Sequence, residues 1–194
     1  MPLELVQSIV CINFPTYIIR WKLVLNILQL GVGVAGVDFL AAVASFPNPD
    51  DKIRSTSFEV QGGGNAGNAL TCAARLGLNP RIISKVADDS HGQRILDELE
   101  RDGVDTSFMV VSKGGNSPFT YVIVDNQKKT RTCIFTPGYP PMIPDDLPKS
   151  KLSSALDGAN IVYLDGRLHE TAFIVAQEVI TIFIYFSSYP YMLL

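Results

Sequence analysis

The densest chemical signal in the chain is Gly62-Gly-Gly64-Asn65-Ala-Gly-Asn68, three glycines ahead of two asparagines. Glycines let a ligand approach the backbone closely, and free N–H groups at a helix start attract polar or anionic groups. Asparagines three residues apart share one helix face. Each amide both donates and accepts, which suits a ligand dense in hydroxyls. The simpler reading is that Asn65 only caps the helix, but a cap does not call for three preceding glycines. No Gly-Lys-Ser/Thr follows, so a P-loop is excluded. Asp38 is the other candidate. A carboxylate there accepts two hydroxyl hydrogen bonds. It is expected just past the C-terminal end of the first strand, the edge where open α/β sheets bind ligands. The competing reading is a solvated turn aspartate.

Gly31-Val-Gly33-Val-Ala-Gly36 fits G-x-G-x-x-G, and Asp50 and Asp51 lie near the spacing of a ribose-binding acid. A dinucleotide-binding domain is therefore an alternative. Against it, the segment after Gly36 runs into Asp38 and then Pro47 and Pro49, leaving little helix. Tight strand-end packing explains the same glycines. His91 and His169 are the only histidines, have neither metal-ligand spacing nor an evident triad, and are expected at the surface. Asp88, Asp89 and Asp165 show no paired-carboxylate pattern. Cys11, Cys72 and Cys133 are few and far apart, which argues against a disulfide framework and for a reducing, cytosol-like compartment.

The elements that must position these residues follow from periodicity and punctuation. Residues 24–30 read as a buried strand and 53–60 as a strand exposed on one face, with a turn at Pro47 to Asp51 between them. Gly62 to Gly64 read as a loop, and 65–76 as a helix stopped by Gly77. A strand at 81–86, a turn at 88–92 and an amphipathic helix at 93–101 come next, with Ile95, Leu96 and Leu99 on one face and Gly103 at its end. Residues 119–124 and 130–135 form a hairpin pattern around a polar loop. A proline-rich irregular stretch at 137–148, a short buried strand at 160–164 and a helix at 170–178 complete the series. Such alternation implies a mainly parallel α/β sheet. The two exposed β segments cannot sit inside it and are expected to form a small separate layer, such as a lid.

The 194 residues are 47% hydrophobic and 18% charged, with a net charge of −3, so the chain is long and apolar enough for a real core. No basic block is present, and nucleic acid is not an expected partner. Residues 1–30 are apolar but interrupted by Glu4, Arg20 and Lys22, a poor signal peptide and too short an uncharged run to span a bilayer. Residues 180–194 carry no charge and are rich in β-branched and aromatic side chains. They are expected to form a buried strand rather than a membrane contact, and Pro190 argues against a continuous helix.

Taken together, residues 31–179 resemble the PfkB/ribokinase family of carbohydrate kinases. The resemblance rests on Gly31 to Asp38 and on Gly63-Gly64-x-x-x-Asn68 followed by Ala73-Ala-Arg-Leu-Gly77. It also rests on Val86-Ala-Asp-Asp-Ser-His-Gly92, on Gly103-Val-Asp-Thr106 and on the hairpin at 120–135. Lys52-Ile-Arg54 and Leu164-Asp-Gly-Arg167 look most like the ketohexokinase branch. The resemblance implies a ribokinase-like, Rossmann-type body and a β lid at about 40–61 and 118–136. For the full-length family it also implies transfer of the ATP γ-phosphate to a sugar hydroxyl with Mg²⁺. The nucleotide pocket and the Mg²⁺-related acidic motif are expected in the missing half, and neither ATP nor Mg²⁺ is expected on this chain. Asp38, Gly63, Gly64, Asn65 and Asn68 match its sugar-contacting positions, and lids of this family can pair two copies. The second signature, Asp-Thr-x-Gly-Ala-Gly-Asp, which would supply the catalytic base, does not occur. The expectation is a shortened form with the C-terminal half missing, inactive alone, with atypical segments at 1–30 and 180–194. A non-catalytic sugar-binding or dimerising remnant is the rival, and an uncovered parallel sheet edge is the expected weak point.

Overall fold

The computed structural model describes residues 27–188, with side chains as far as residue 182. Expectations for residues 1–26, including Cys11 and the start of the first strand, lie outside the described residues. So do those for 189–194, including Pro190. The elements are β1 Leu28–Val32, β2 Gly36–Val43, β3 Ser55–Gly63, α1 Asn65–Arg75, β4 Asn79–Ile83, β5 Lys85–Ala87 and α2 Ser90–Arg101. They continue with β6 Val110–Ser112, β7 Phe119–Asp125, β8 Thr130–Thr136, a 3-10 turn at Pro144–Asp146, α3 Lys149–Leu156, β9 Ile161–Leu164 and α4 His169–Ser188.

The body is built on a parallel sheet of order β4-β1-β9. Alternation along its strands sends side chains to two cores. Ile82 joins Leu70, Val86, Ile95 and Leu99 on the α1/α2 side. Leu30, Val32 and Ile83 join Leu152, Ala155 and Val175 on the α3/α4 side. Gly31 has a packing reason to be small, because a Cβ there would press into the Leu70 side chain at 2.6 Å. Burial of such aliphatic side chains contributes roughly 1.5–3 kcal/mol each.

The second sheet has order β3-β2-β7-β8, with β3 and β8 antiparallel to their neighbours and β2 parallel to β7. This is the separate β layer expected from the exposed segments. Register pairs Asp38 with Thr120, Thr120 with Phe135 and Val122 with Cys133. Asp38, Thr120, Val122, Cys133 and Arg131 therefore share one face. Phe39, Tyr121, Ile134 and Phe58 share the other.

Several expectations need correction. Residues 36–43 form a strand that the sequence reading did not propose, so Asp38 lies within β2 rather than just past β1. Gly62 and Gly63 end strand β3 instead of forming a loop. The strand at 81–86 is two strands, β4 and β5, serving different sheets. Helix α2 starts at Ser90, not 93, because the Asp89 carboxylate caps it by accepting from the Gly92 N–H at 2.7 Å. Strand β9 is only half-buried, since it is an edge. The tail expected as a strand continues helix α4 through Ser188. Its β-branched content is overridden by the docking of Val175, Val179 and Ile182 against the α3/α4-side core. No helix among the described residues is long and apolar enough to cross a membrane.

Candidate functional site

The turn between β1 and β2 is the hub of the site. The Val34 carbonyl accepts from the Ala66 N–H at 3.1 Å and the Gly67 N–H at 3.3 Å, so it holds the start of α1. Gly64 makes this approach possible. Its φ of +83° and ψ of 146° favour glycine, and a Cβ there would overlap the Val34 carbonyl. Gly64 is itself the N-cap and no side chain caps the helix. Asn65 is therefore not the cap, and its amide stays exposed, as does that of Asn68. The Val34 N–H donates to Asp165 at 2.8 Å, and Asp165 also accepts from the Arg167 N–H at 2.9 Å. The end of β9 is thereby tied to the floor under α1.

Between α1 and the inner face of the lid lies a cleft of about 280 Å³. Asp38, Gly64, Asn65, Asn68, Thr120, Arg131 and Arg167 line it. Four of the five residues singled out by sequence thus meet in one place. Gly63 does not line this cleft. It lies behind Asp38 and borders a neighbouring hollow of about 300 Å³ between α1 and α2, and a Cβ on it would overlap the Asp38 carboxyl. Burial pushes the Asp38 carboxyl above its ordinary pKa, while the Thr120 hydroxyl and the Arg131 guanidinium pull it partly back. The half-buried carboxylate thus faces a hydroxyl donor, a cation and two amides.

Sequence reasoning missed Thr120, Arg131 and Arg167 as site residues. Thr120 and Arg131 carried a signal, since period-2 alternation across a paired sheet puts them on the face of Asp38. Arg167 carried only its membership of the Leu164-Asp-Gly-Arg167 run, because its place in the cleft depends on how β9 meets α4. A larger cavity of about 550 Å³ continues past Val34, Phe135 and Arg167 along the proline-rich segment. Lys85 pins that segment by donating to Asp146 at 2.8 Å and to the Pro141 carbonyl at 3.2 Å.

His91 is half-buried rather than a surface residue. Its ring packs edge-on against Phe39 at 5.5 Å and Phe119 at 5.6 Å, joining α2 to the lid. His169 is exposed as expected. The G-x-G-x-x-G motif lacks the context that a dinucleotide site requires, because Gly36 opens strand β2 and not a helix. Gly33 instead makes room for the Asp165 carboxyl. The described residues contain no group of three or more His, Cys, Asp or Glu side chains able to hold a metal ion.

A model of the pfkB family carbohydrate kinases matches residues 30–181. The chain belongs to this family. It is 28% identical to ketohexokinase of Mus musculus over 138 residues, covering 71% of this chain and 45% of the mouse protein. Ribokinase of Bacillus subtilis is 33% identical over 78 residues, 40% of this chain and 27% of that protein. The chain thus spans less than half the length of these relatives. Among solved structures, ribokinase of Arabidopsis thaliana complexed with ribose and ATP superposes with a TM-score of 0.58 at 20% identity, covering 70% of this chain and 44% of that one. Ribokinase of Thermotoga maritima superposes at 0.59 with 18% identity, covering 78% and 49%. These likenesses establish the ribokinase-like α/β fold of the family, with parallel strands, helices and the β layer described above.

Proposed function

We propose that this chain is the sugar-binding and lid portion of an ATP-dependent carbohydrate kinase. The observation that carries the reading is the convergence of Asp38, Asn65 and Asn68 on one cleft under the lid sheet. A carboxylate and two amides offer acceptors and donors for several hydroxyls at once. In this reading Asp38 accepts from two sugar hydroxyls, the Asn65 and Asn68 amides orient the ring, and the lid excludes water from the transferred phosphoryl group. The family membership and the relatives named as ribokinase and ketohexokinase support the same substrate class.

The sequence contains no Gly-Ala-Gly-Asp run, so no residue here takes the role of catalytic base. Losing a general base alone commonly costs roughly 10²–10⁴-fold in rate. The 194-residue chain is expected to bind sugar but to turn over little or none with ATP. Calorimetric titration with sugars and a coupled kinase assay test both halves. No heat with any sugar would overturn the binding claim, and steady turnover would overturn the second.

A second reading concerns the outer lid face. Phe58 is 61% exposed, Tyr121 50% and Ile134 53%, all on one side of the sheet. We propose that this face pairs two chains. Sedimentation should show a dimer that Phe58→Ser with Tyr121→Ser dissociates. A monomer at every concentration would end that idea.

A further inference from the structure

Helix α2 touches the root of the lid sheet without lining the cleft. Ile95 and Leu99 sink its inner face into the α1/α2-side core. Beside them Arg94 and Glu98 stand one turn apart, with the Arg94 Nη2 2.8 Å from the Glu98 Oε1. A pair at that spacing on a helix surface is ordinarily worth little. Here the same nitrogen also donates to the Val60 carbonyl at 2.6 Å, which joins the pair to β3, an edge strand of the lid sheet.

Beyond Val60 the chain runs Gln61-Gly62-Gly63-Gly64 into α1. Glycines have no side chain to pack and the widest backbone freedom, so a strand that ends in them is poorly held from within. The bracing comes from α2. Arg94 fixes Val60, and the other Glu98 oxygen, Oε2, fills the space that Gly62 leaves open. A Cβ on Gly62 would lie 2.8 Å from that oxygen. Register carries the position of β3 across the sheet, since Val60 faces Phe39, Gln61 faces Asp38 and Gly62 faces Val37. Along the chain it reaches Gly64, the N-cap of the helix that bears Asn65 and Asn68.

Resting on the sugar-binding reading above, we propose that Arg94 and Glu98 are positioning residues for the sugar site. They hold the end of β3 at residues 60–62, and through it the Asp38 carboxylate and the start of α1. Gly62 offers a way to disturb the pair without deleting either charge. Its φ is not positive, and the Glu98 carboxylate is the free end of a flexible side chain. Gly62→Ala therefore displaces the carboxylate and leaves the backbone unstrained.

The test is calorimetric titration of the full chain with ribose and fructose. The proteins are the wild type, Arg94→Gln, Arg94→Lys, Gly62→Ala, Glu98→Ala and the Gly62→Ala/Glu98→Ala double variant. Arg101→Gln, which removes one charge from the last turn of the same helix, is the control. Urea denaturation and hydrogen exchange on the same samples tell a local effect from loss of the fold. Arg94→Gln and Gly62→Ala should each weaken sugar binding about threefold or more, with little change in the unfolding midpoint. Arg94→Lys should keep most of the affinity, because an ammonium still donates to a carboxylate and a carbonyl. In the Glu98→Ala background Gly62→Ala should add little, because the group it displaces is gone. Exchange should quicken at residues 60–63 in Arg94→Gln and stay unchanged in β8. Arg101→Gln should bind as the wild type does. Unchanged affinity in both Arg94→Gln and Gly62→Ala overturns the proposal. So does a loss that Arg101→Gln reproduces, that Arg94→Lys fails to recover or that tracks a general fall in stability. If the wild type binds neither sugar, the sugar-binding reading loses its support and exchange alone decides on the pair. Faster exchange at residues 60–63 in Arg94→Gln then retains the brace, and unchanged exchange removes it.

Discussion

The Asp165 carboxylate holds the Val34 N–H at 2.8 Å, while the Val34 carbonyl holds the first turn of α1 through Ala66 and Gly67. A residue at the end of β9 thus sets the position of the asparagines that open α1. Asp165→Ala should cost about 1–2 kcal/mol of stability, since two charge-assisted hydrogen bonds go at a half-buried site. It should also weaken sugar binding several-fold without removing any group that faces the cleft. Asp165→Asn keeps an acceptor and should recover part of both. Urea denaturation and sugar titration on the same samples check this. Loss of stability with unchanged affinity would mean that the relay does not reach the site.

Asp38 should show opposite effects on binding and on stability. Burial raises its pKa, so the folded state disfavours the charged form. A raised carboxyl pKa gives stability that is fully present below the unfolded pKa and is lost as pH rises through the folded one. Asp38→Asn should therefore leave the ligand-free chain as stable as the wild type at neutral pH, or more so. Sugar binding should fall by about tenfold or more, because a charged acceptor is lost. In the wild type, affinity should decline on acidification at a pH above the ordinary aspartate range. An Asp38→Asn variant that binds as well as the wild type would remove Asp38 from the site.

Much of this site was legible in the sequence because its signals are local. The helix start after Gly64, the stop at Gly77 and the hairpin of β7 and β8 each depend on a few adjacent residues. Strand β2 was not legible. Its residues 36–43 follow a glycine motif that also occurs before helices, and only pairing with β3 and β7 makes them a strand. Helix α4 hid for a related reason. Its β-branched residues favour strand locally, and docking of Val175 and Val179 on the α3/α4-side core decides the matter. Arg167 and the partner role of His91 depend on how distant elements meet, which no local pattern records.

Two glycines with similar φ should respond differently to alanine. Gly64 has φ +83° and Gly77 has φ +87°. At Gly77 an added Cβ meets nothing within 4 Å, so Gly77→Ala bears only the conformational cost, about 1 kcal/mol. At Gly64 the Cβ would also overlap the Val34 backbone. Gly64→Ala should cost about 2–3 kcal/mol or more and should displace the α1 start, weakening sugar binding as well. Thermal melts of the two variants with a sugar titration make the comparison. Equal destabilisation would show that the Val34 contact yields easily.

Asp89 should give the chain an acid-sensitive joint between α2 and the lid. Burial pushes its carboxyl up. The Ser117 hydroxyl at 2.7 Å, the N–H groups of Ser117 and Gly92 and the nearby His91 outweigh that and hold it below the ordinary range. A depressed carboxyl pKa gives stability that is present above the unfolded value of about 4 and lost as pH falls through the folded one. The wild type should therefore lose stability progressively below about pH 4, and Asp89→Asn should show a shallower decline there. At neutral pH, Asp89→Ala removes the α2 cap and the anchor of Ser117, which leads directly into β7, and should cost about 1–2 kcal/mol. Denaturant melts between pH 3 and 7 on the three proteins read this out. Parallel curves for wild type and Asp89→Asn would show that the capping carboxylate is not what couples this joint to pH.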